Sequence, residues 1–377
     1  MQSPFRFEIL HTSKKSKARV GRIHTPHGTI ETPGFVAVGT NGTIKALTHQ
    51  ELDKIGLDLM FCNTYHMMLQ PGADVVEKAG GLHRYIGRNR PIITDSGGFQ
   101  VFSLAYGGVA NELKSRGTKK TDGSVLKITE DGVLFRSYRD GRPVLLTPES
   151  SVEAQKQLGA DIIIPFDELP PYHIDDKALI KSFERTHRWE ERSLEYHLKD
   201  RRGQAMFAVI HGGVNETLRR RSSTHLNALS FDGFAIGGSL GKTKQELYSL
   251  LGYTLEPLDP QKPRHLLGIG DLESLTQSIP FGIDTFDSSY PTKAARHGMV
   301  LTEKGNINLT KSEFRYSQEP IEKDCLCSTC QGTTLGFLHH LFKAKELAAL
   351  TAATIHNLTF MVRRMEKFRA DIANDLI

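Results

Sequence analysis

Residues 205–239 read AMFAVIHGGVNETLRRRSSTHLNALSFDGFAIGGS, and this stretch decides the fold class. It begins with a short apolar run, passes through a longer stretch of helical character, and ends with a second apolar run. Neither run shows the strict alternation of a sheet that faces water on one side, so both predict strands buried on both faces. Strand, helix and parallel strand in succession form the unit from which α/β folds are built.

The same pattern recurs along the chain. Eight apolar runs end abruptly in glycine or polar residues, and most are separated by stretches that predict helices. Eight such units favour an α/β fold of the closed (β/α)8 TIM-barrel type, with an open doubly wound sheet as the alternative. The runs are GFVAVGT, LMFCNTYH, IITDSGGF, DIIIPFDE, MFAVIHGG, GFAIGGS, HLLGIGD and GIDTFDSS.

Two segments depart from this alternation. Residues 125–146, VLKITEDGVLFRSYRDGRPVLL, contain Asp-Gly turns and predict a β-hairpin or meander inserted over one edge of the barrel. From about Thr310 the chain carries a cysteine cluster and then helical stretches. We therefore expect a barrel with N-terminal strands over residues 1–310, with the insertion at about 101–150, and a separate subdomain over residues 311–377.

The composition is that of an ordinary globular protein. The 377 residues are 38% hydrophobic and 24% charged, which is enough apolar material for one large core. No apolar run approaches the roughly 20 residues of a membrane-spanning helix, and no apolar stretch follows the charged start, so we expect a cytoplasmic protein without membrane contact. The net charge of +5 suits a polyanionic partner but is too small to prove one.

Three of the four cysteines, Cys325, Cys327 and Cys330, lie within six positions. In a reducing compartment such a cluster is typical of a metal site rather than a disulfide framework. Three thiolates and one histidine complete a tetrahedral, structural zinc, so we expect a C-terminal zinc-binding helical subdomain. Spacing alone leaves three candidates for the fourth ligand: His339, His340 and His356.

Three predicted strands deliver an aspartate at or near their carboxyl ends, namely Asp95, Asp167 and Asp287. In a barrel these ends converge on one rim. Two carboxylates that flank a sugar's anomeric carbon perform retaining glycosyl transfer, one as the nucleophile and the other as the proton carrier. A third carboxylate can bind a base. For any single aspartate, a turn or helix cap is the simpler explanation.

Pairs of glycines follow the third, fifth and sixth predicted strands, at 97–98, 212–213 and 237–238. They leave backbone N–H groups open to a flat ligand, although a tight turn explains each pair taken alone. The chain contains no Walker or Rossmann fingerprint, which argues against ATP and nicotinamide cofactors.

Taken together, the motifs resemble those of one family over nearly the whole chain and in the same order. They are similar to the bacterial queuine tRNA-ribosyltransferases, also called tRNA-guanine transglycosylases. This family exchanges guanine at the wobble position of G-U-N anticodons for queuine or 7-aminomethyl-7-deazaguanine, through a covalent aspartyl–ribosyl intermediate. The motifs are NTYHMMLQPG, TDSGGFQVFSL, FDE, GGVNETLR, GFAIGGS, FDSSYPT and Cys-x-Cys-x2-Cys with a histidine 26 positions after the last cysteine.

The resemblance implies a role for each matching position. Asp287 is the nucleophile and Asp95 the general acid/base, while Asp167 accepts hydrogen bonds from the base and Gly238 donates one to its O6. His356 is the fourth ligand of one structural Zn2+ per chain. Other pocket positions are Ser96, Gly97, Gly98, Phe99, which stacks on the base, and His211. Positions that face RNA are Gly268, Gly270, Asp271, Ser274, Thr292, Lys293 and Arg296. The implied partners are the tRNA anticodon loop and a second copy of the chain.

Several positions depart from the family's usual pattern. His211 stands in place of a glutamine that helps donate to O6, and Lys293 in place of an arginine. Asp271 and Ser274 replace a lysine and an aspartate, and the charge reversal at Asp271 weakens that expected RNA contact.

The pocket wall departs as well. Leu169 replaces a cysteine, and 239–241, Ser-Leu-Gly, replaces a bulky Leu-Ala-Val run. Because a valine-sized wall is missing at Gly241, we hypothesise that queuine is preferred over the aminomethyl base.

Two other functions are alternatives. One is a non-catalytic tRNA-binding subunit of the same fold, against which the presence of both Asp95 and Asp287 speaks. The other is a small-molecule retaining glycoside hydrolase on the same barrel, in which water rather than a base completes the reaction.

Overall fold

The computed structural model describes residues 4–105 and 124–377, so part of the insertion predicted at about 101–150 lies outside the described residues. The strands are β1 (Arg6–Thr12), β2 (Arg19–Thr25), β3 (Gly28–Thr32), β4 (Gly34–Val38), β5 (Met60–Cys62), β6 (Ile92–Thr94), β7 (Val125–Ile128), β8 (Val133–Arg136), β9 (Pro143–Leu146), β10 (Ile162–Ile163), β11 (Ala205–Ile210), β12 (Gly233–Ile236), β13 (Arg264–Leu266), β14 (Thr285–Ser288), β15 (Met299–Val300) and β16 (Ile307–Asn308). The helices are α1 (His49–Ile55), α2 (Thr64–Leu69), α3 (Ala73–Lys78), α4 (Leu82–Ile86), α5 (Gly98–Ala105), α6 (Pro148–Leu158), α7 (Asp176–Lys199), α8 (Glu216–Asn227), α9 (Lys244–Leu255), α10 (Leu272–Ser278), α11 (Tyr290–Arg296), α12 (Ser328–Gly332), α13 (Leu335–Ala344) and α14 (Leu347–Ala373).

A closed parallel barrel forms the centre of the molecule. Going round it, the strands follow the order β10, β11, β12, β13, β14, β4, β5 and β6. The ring is continuous because β14 pairs with β4 and β10 pairs with β6. Each strand coincides with one of the eight apolar runs of the sequence. The TIM-barrel prediction is therefore confirmed, and the open-sheet alternative is wrong.

Burial and capping explain why these segments adopt their structures. All six residues of β11 are buried, as expected for a strand covered by side chains inside the barrel and by helices outside it. The helices α1, α6 and α9 each begin at a threonine whose side chain accepts a hydrogen bond from the N3 backbone N–H, in a reciprocal capping box. Local signals and barrel packing therefore agree.

The insertion contains the predicted meander. The strands β7, β8 and β9 pair antiparallel in that order. Phe135 of β8 packs in one apolar cluster with Tyr65, Phe102, Phe166 and Trp189, which belong to the barrel and its helices. The meander therefore covers one side of the barrel rim.

The C-terminal part packs both on itself and on the barrel. The three clustered cysteines share an apolar cluster with residues of α13 and α14. Further along α14, Leu358, Met361 and Phe368 join the largest apolar cluster of the barrel. Within the described part of the chain, no helix combines the length and apolar character that crossing a membrane requires.

Candidate active site and metal centre

The three aspartates predicted at the rim lie at one end of the barrel. Asp95 directly follows β6, Asp167 comes shortly after β10, and Asp287 is the third residue of β14. Because the barrel strands are all parallel, their carboxyl ends face the same side. What each carboxylate can do depends on the groups that hold it.

Asp95 is held at both carboxylate oxygens. Its Oδ2 accepts hydrogen bonds from the side-chain amides of Asn63 and Gln100, each at 2.7 Å, and its Oδ1 accepts one from the Thr64 backbone N–H at 2.8 Å. Burial raises the pKa of Asp95, although these hydrogen bonds act in the opposite direction. A carboxyl group that is fixed in direction and favours its neutral form is suited to protonating a leaving group.

Asp287 is held at only one oxygen. Its Oδ1 accepts a hydrogen bond from the Gly268 N–H at 2.9 Å and lies 3.0 Å from Nε2 of the fully buried His265. The other ring nitrogen of His265 lies 2.8 Å from Oγ1 of Thr285, which fixes the ring. Among the described residues, no group hydrogen-bonds Oδ2 of Asp287. A carboxylate oriented through one oxygen and open at the other is arranged for nucleophilic attack.

Asp167 lies close to the loop that carries Asp95. Its Oδ1 accepts a hydrogen bond from the Ser96 hydroxyl at 3.0 Å. Burial, with a smaller contribution from the Asp95 charge, raises the pKa of Asp167 to about 7. A Cβ atom on Gly98 would lie 2.6 Å from the Asp167 carbonyl oxygen, so glycine is required where these two loops meet.

The remaining pocket residues predicted from the sequence lie around this site. Phe99, near the start of α5, is 47% exposed and therefore free to stack on a planar ligand. Gly97 precedes that helix, between Ser96 and Gly98. His211 follows β11 and is buried, and a Cβ atom on Gly238 would lie 3.4 Å from its Nδ1. The loops after β11 and β12 therefore meet at these two residues.

A buried arginine that the sequence analysis did not single out holds those two loops. Arg219 of α8 is fully buried, and its guanidinium group donates four hydrogen bonds to backbone carbonyl oxygens. The acceptors are Ile210, Gly213, Gly237 and Ser239. The sequence signal was misleading, because a run of three arginines on a helix usually indicates a solvated face.

The positions expected to face RNA lie on the segments that follow β13 and β14, partly in the loop after β13 and partly in α10 and α11. Gly268 and Lys293 are exposed, Asp271 and Arg296 are half-buried, and Gly270, Ser274 and Thr292 are buried. The Asp271 side chain caps α10 by accepting a hydrogen bond from the Ser274 N–H at 3.1 Å, and it lies 3.4 Å from Nζ of Lys244. The accessible side chains of this group are therefore those of Lys293, Arg296 and Asp271.

The cysteine cluster comes together with one histidine. Nδ1 of His356 lies 3.8 Å from Sγ of Cys325, 3.8 Å from Sγ of Cys327 and 3.3 Å from Sγ of Cys330. Bonds of about 2.3 Å to sulfur and about 2.0 Å to nitrogen in a tetrahedron place such atoms about 3.6 Å apart, so the four buried residues fit a zinc ion.

The histidine that joins the three cysteines is His356, not His339 or His340. Nε2 of His356 donates a hydrogen bond to the Leu301 carbonyl oxygen at 2.8 Å, which leaves Nδ1 for a metal. His339 donates instead to the Leu309 carbonyl oxygen, and His340 is exposed.

Comparison with known proteins agrees with this arrangement. The profile of the family described as queuine tRNA-ribosyltransferase matches residues 13–377. The chain belongs to this family. Relatives named queuine tRNA-ribosyltransferase include those of Protochlamydia amoebophila, 67% identical over 99% of this chain and 96% of the relative, Chlamydia trachomatis serovar L2, 54% identical over 99% of both, and Chlamydia caviae, 50% identical over 99% of both. The resemblance seen in the motifs is thereby confirmed.

The sequence predicted that the three aspartates lie at one rim, but it did not predict the groups that orient them. Asn63 and Gln100 lie within quoted motifs and His265 within a quoted apolar run, but none of them was given a role. Their closeness to strand ends was the available signal. Which side chain turns toward a carboxylate depends on the backbone path, and the motif does not specify that path.

Proposed function

We propose that this chain is a tRNA-guanine transglycosylase, a pentosyltransferase that replaces guanine at the wobble position of G-U-N anticodons by a 7-deazaguanine base in queuosine modification. The observation that carries the proposal is the state of Asp287, whose Oδ1 is fixed by His265 and Gly268 while Oδ2 is open. Membership of the family supports the class of substrate.

The reaction consists of two displacements at the ribose C1′. Oδ2 of Asp287 attacks C1′, and the bond from C1′ to N9 of guanine breaks while Asp95 gives its proton to the leaving purine. The incoming base then loses its N9 proton to Asp95 and attacks C1′, and the bond between Asp287 and the ribose breaks. Two inversions retain the configuration at C1′.

The pocket would recognise the base by its Watson–Crick edge once the nucleotide has turned out of the anticodon stack. Asp167 accepts from N1–H and from the 2-amino group, while the Gly238 N–H and His211 donate to O6. Phe99 stacks on the ring, and Ser96, Gly97 and Gly98 line the pocket from the side of Asp95.

Which base enters second is a separate proposal. We favour queuine over 7-aminomethyl-7-deazaguanine because Gly241 and Leu169 replace the usual wall residues. Not all the space left at Gly241 is free, since a Cβ atom there would lie 2.7 Å from Cβ of Glu246. Competing both bases against labelled guanine decides the matter, and exclusive use of the aminomethyl base would refute the preference.

RNA binding is proposed for the rim loops, and a structural Zn2+ for the cysteine cluster. The anticodon loop would lie over Gly268, Gly270, Asp271, Ser274, Thr292, Lys293 and Arg296. Zn2+ held by Cys325, Cys327, Cys330 and His356 would supply a cross-link between the cysteine loop and α14, and no reaction step passes through it.

Assembly and organisation are proposed on the surface of the C-terminal part. Tyr316, Leu326, Phe337 and Leu347 are large apolar side chains, each more than half exposed, and they suit the interface of a homodimer. Sedimentation of the purified chain tests this.

We also propose that the chain is divided into a barrel, 1–310, and a zinc subdomain, 311–377. We further propose a cytoplasmic location, where the tRNA partner is found.

Trapping the covalent intermediate tests the function. The chain is incubated with tRNA carrying a G-U-N anticodon and labelled guanine, and both exchange and a denaturation-resistant protein–tRNA complex are measured. Asp287→Ala should abolish the complex and lower exchange by at least about 10⁴-fold, as expected when a nucleophile is removed. Asp176→Asn, at an exposed position of α7, is the matched control.

The alternatives give different results in the same assay. A non-catalytic subunit would bind the tRNA without forming the complex or exchanging guanine. A glycoside hydrolase would cleave small glycosides with water and leave tRNA unchanged. Either outcome would overturn the proposed function.

A further inference from the structure

Glu190 is a buried carboxyl group with no part in the reaction described above. It lies on α7, is fully buried, and its Oε2 accepts a hydrogen bond from the Val209 N–H at 3.1 Å. Its Oε1 has no hydrogen-bond partner among the described residues. A buried oxygen of this kind is costly unless another group uses it.

The group facing that oxygen is His211 of the pocket. Its Nε2 lies 3.6 Å from Oε1 of Glu190 and 3.5 Å from Oδ2 of Asp167, both just beyond hydrogen-bonding distance. Nε2 is likewise buried, with no hydrogen-bond partner in the part of the chain that the structure describes. Two unpaired polar atoms therefore face each other, and a shift of roughly half an ångström would satisfy both.

Burial decides which of the two carries the proton. It raises the pKa of Glu190 well above its ordinary value and lowers the pKa of His211 well below its own, because both charged forms are disfavoured. Burial therefore favours a carboxylic acid facing a neutral imidazole. In that pairing the acid O–H donates to Nε2, and the single ring proton of His211 is on Nδ1.

We propose that Glu190 is a positioning residue that holds His211 in its Nδ1–H tautomer, so that Nδ1–H and the Gly238 N–H donate together to O6 of the base. Nδ1 is the ring nitrogen that lies beside Gly238. The inference rests on the proposed base exchange and gives His211 the donor role of the family's usual glutamine.

The other tautomer would harm base binding in two ways. With its proton on Nε2, His211 would donate to Oδ2 of Asp167, the oxygen that Ser96 leaves available for the base. Nδ1 would then present a lone pair to O6, which is itself an acceptor. Glu190 therefore keeps Asp167 available and O6 satisfied.

The test compares two substitutions of Glu190 of similar size, one that keeps a hydrogen-bond donor for His211 and one that removes it. Glu190→Met fills the space without a donor, whereas the amide of Glu190→Gln still donates to Nε2. We expect the Met variant to raise KM for guanine about tenfold with kcat little changed, as for one lost hydrogen bond to a buried acceptor. The Gln variant should stay within about threefold of the wild type, and Glu191→Gln, on the same helix but partly exposed, is the control.

A second measurement reads the tautomer directly in the free protein. Nitrogen NMR of histidine-labelled chain, with the His211 signal assigned by its loss in His211→Gln, should show Nδ1–H in the wild type and Nε2–H in Glu190→Met. An Nε2–H wild type, or an unchanged KM in the Met variant, overturns the proposal. This spectrum stays informative if Glu190→Met fails to fold. Because it needs no turnover, it distinguishes failure of this inference from failure of base exchange, which the wild type alone would reveal.

Discussion

Asp95 and Asp287 are buried to the same degree but differ in what their oxygens can still do. They are 8% and 7% exposed. Asp95 accepts hydrogen bonds at both oxygens, which would keep the group in place during the proposed proton transfers. Asp287 keeps one oxygen open. Together with the raised pKa of Asp95, the placement of hydrogen-bond donors distinguishes the two carboxylates and supports the roles proposed for them.

The raised pKa of Asp167 predicts that base binding depends on pH. Below about pH 7 the Asp167 carboxyl group is mostly protonated. One of its oxygens then carries a proton and no longer accepts a hydrogen bond from the N1–H or 2-amino group of the base. We expect KM for guanine to rise as pH falls below 7, approaching about tenfold per pH unit. Initial rates of guanine exchange between pH 5.5 and 8.5, at about half-unit steps, measure this.

Ser96 supplies the control for that pH profile. Its hydroxyl donates to Oδ1 of Asp167 and lowers the carboxyl pKa, so Ser96→Ala should move the inflection to higher pH. A KM that stays flat across the range, or an inflection that moves to lower pH in the variant, would show that Asp167 does not control base binding.

At the scale of single residues, functional groups at strand ends could be predicted from the sequence, whereas helix residues that support the site from outside the barrel could not. Asp95 and Asp287 stand directly at strand ends, where a parallel barrel places its chemistry. Glu190 and Arg219 lie on helices, within charged stretches that periodicity assigns to solvent. Their burial depends on how α7 and α8 pack on β11, which a single sequence does not specify.

Among the elements, α14 connects the metal centre to the site. His356 faces the cysteines, and the next residue, Asn357, is fully buried. The Asn357 amide donates to the carbonyl oxygens of Pro291 and Met299, and its side-chain oxygen accepts from the Leu301 N–H. Pro291 lies four positions after Asp287. A distortion of the cysteine cluster would therefore reach the start of α11, which carries Lys293.

Removal of the proposed metal ligands should destabilise the packing of α14 against the cysteine loop and the start of α11. We expect Cys327→Ser and His356→Gln to lose bound zinc and to destabilise the chain by about 4 kcal/mol or more, the range for losing a structural metal. Metal content by mass spectrometry and thermal unfolding measure both effects. tRNA binding should weaken in the same variants, because α11 loses its support.

Two matched variants show whether the effect is specific. Cys62→Ser changes a cysteine that is buried in β5, outside the cluster, and His340→Gln changes an exposed histidine of α13. Both should keep a full complement of zinc. Retention of zinc in Cys327→Ser would contradict the four-ligand centre.

Among the elements, the barrel strands were the most predictable part of the fold. All eight were found because strands buried on both faces need continuous apolar runs, and because glycine or polar residues end each run. The packing of α14 on the barrel was not foreseen. Its apolar spacing showed that it was a helix, but not that Leu358 and Phe368 join the barrel cluster while His356 faces the cysteines.

At the scale of the whole molecule, the two ends of the barrel have separate tasks. The carboxyl ends of the strands surround the candidate site, and at the opposite end Asp161 lies just before β10. Its carboxylate lies 2.7 Å from Nδ1 of His27 and 3.1 Å from Nε2 of His83, and it accepts a hydrogen bond from the Ile92 N–H at 2.9 Å.

These groups form a hydrogen-bond hub. The two imidazole rings are stacked with centroids 3.4 Å apart and planes within 12°, so their in-plane lone pairs do not converge on one metal position. The hub instead ties the turn between β2 and β3, the helix α4 and the start of β6 to one buried carboxylate.

Asp161→Asn should therefore weaken the fold and spare the chemistry. Burial raises the Asp161 pKa, but hydrogen bonds from His83, His27 and the Ile92 N–H outweigh it, and the pKa lies below its ordinary value. The stabilisation is thus present above about pH 4 and lost as pH falls through the lower folded value. We expect the free energy of unfolding of Asp161→Asn to be about 2–4 kcal/mol lower than that of the wild type at pH 7, and the difference between the two to become smaller in acid. The kcat for guanine exchange should be unchanged. Denaturant unfolding at several pH values measures this difference, and Asp131→Asn, at an exposed position, is the control. If the difference in unfolding free energy between the wild type and Asp161→Asn grew larger in acid, the ionised carboxylate of Asp161 would not be the stabilising group.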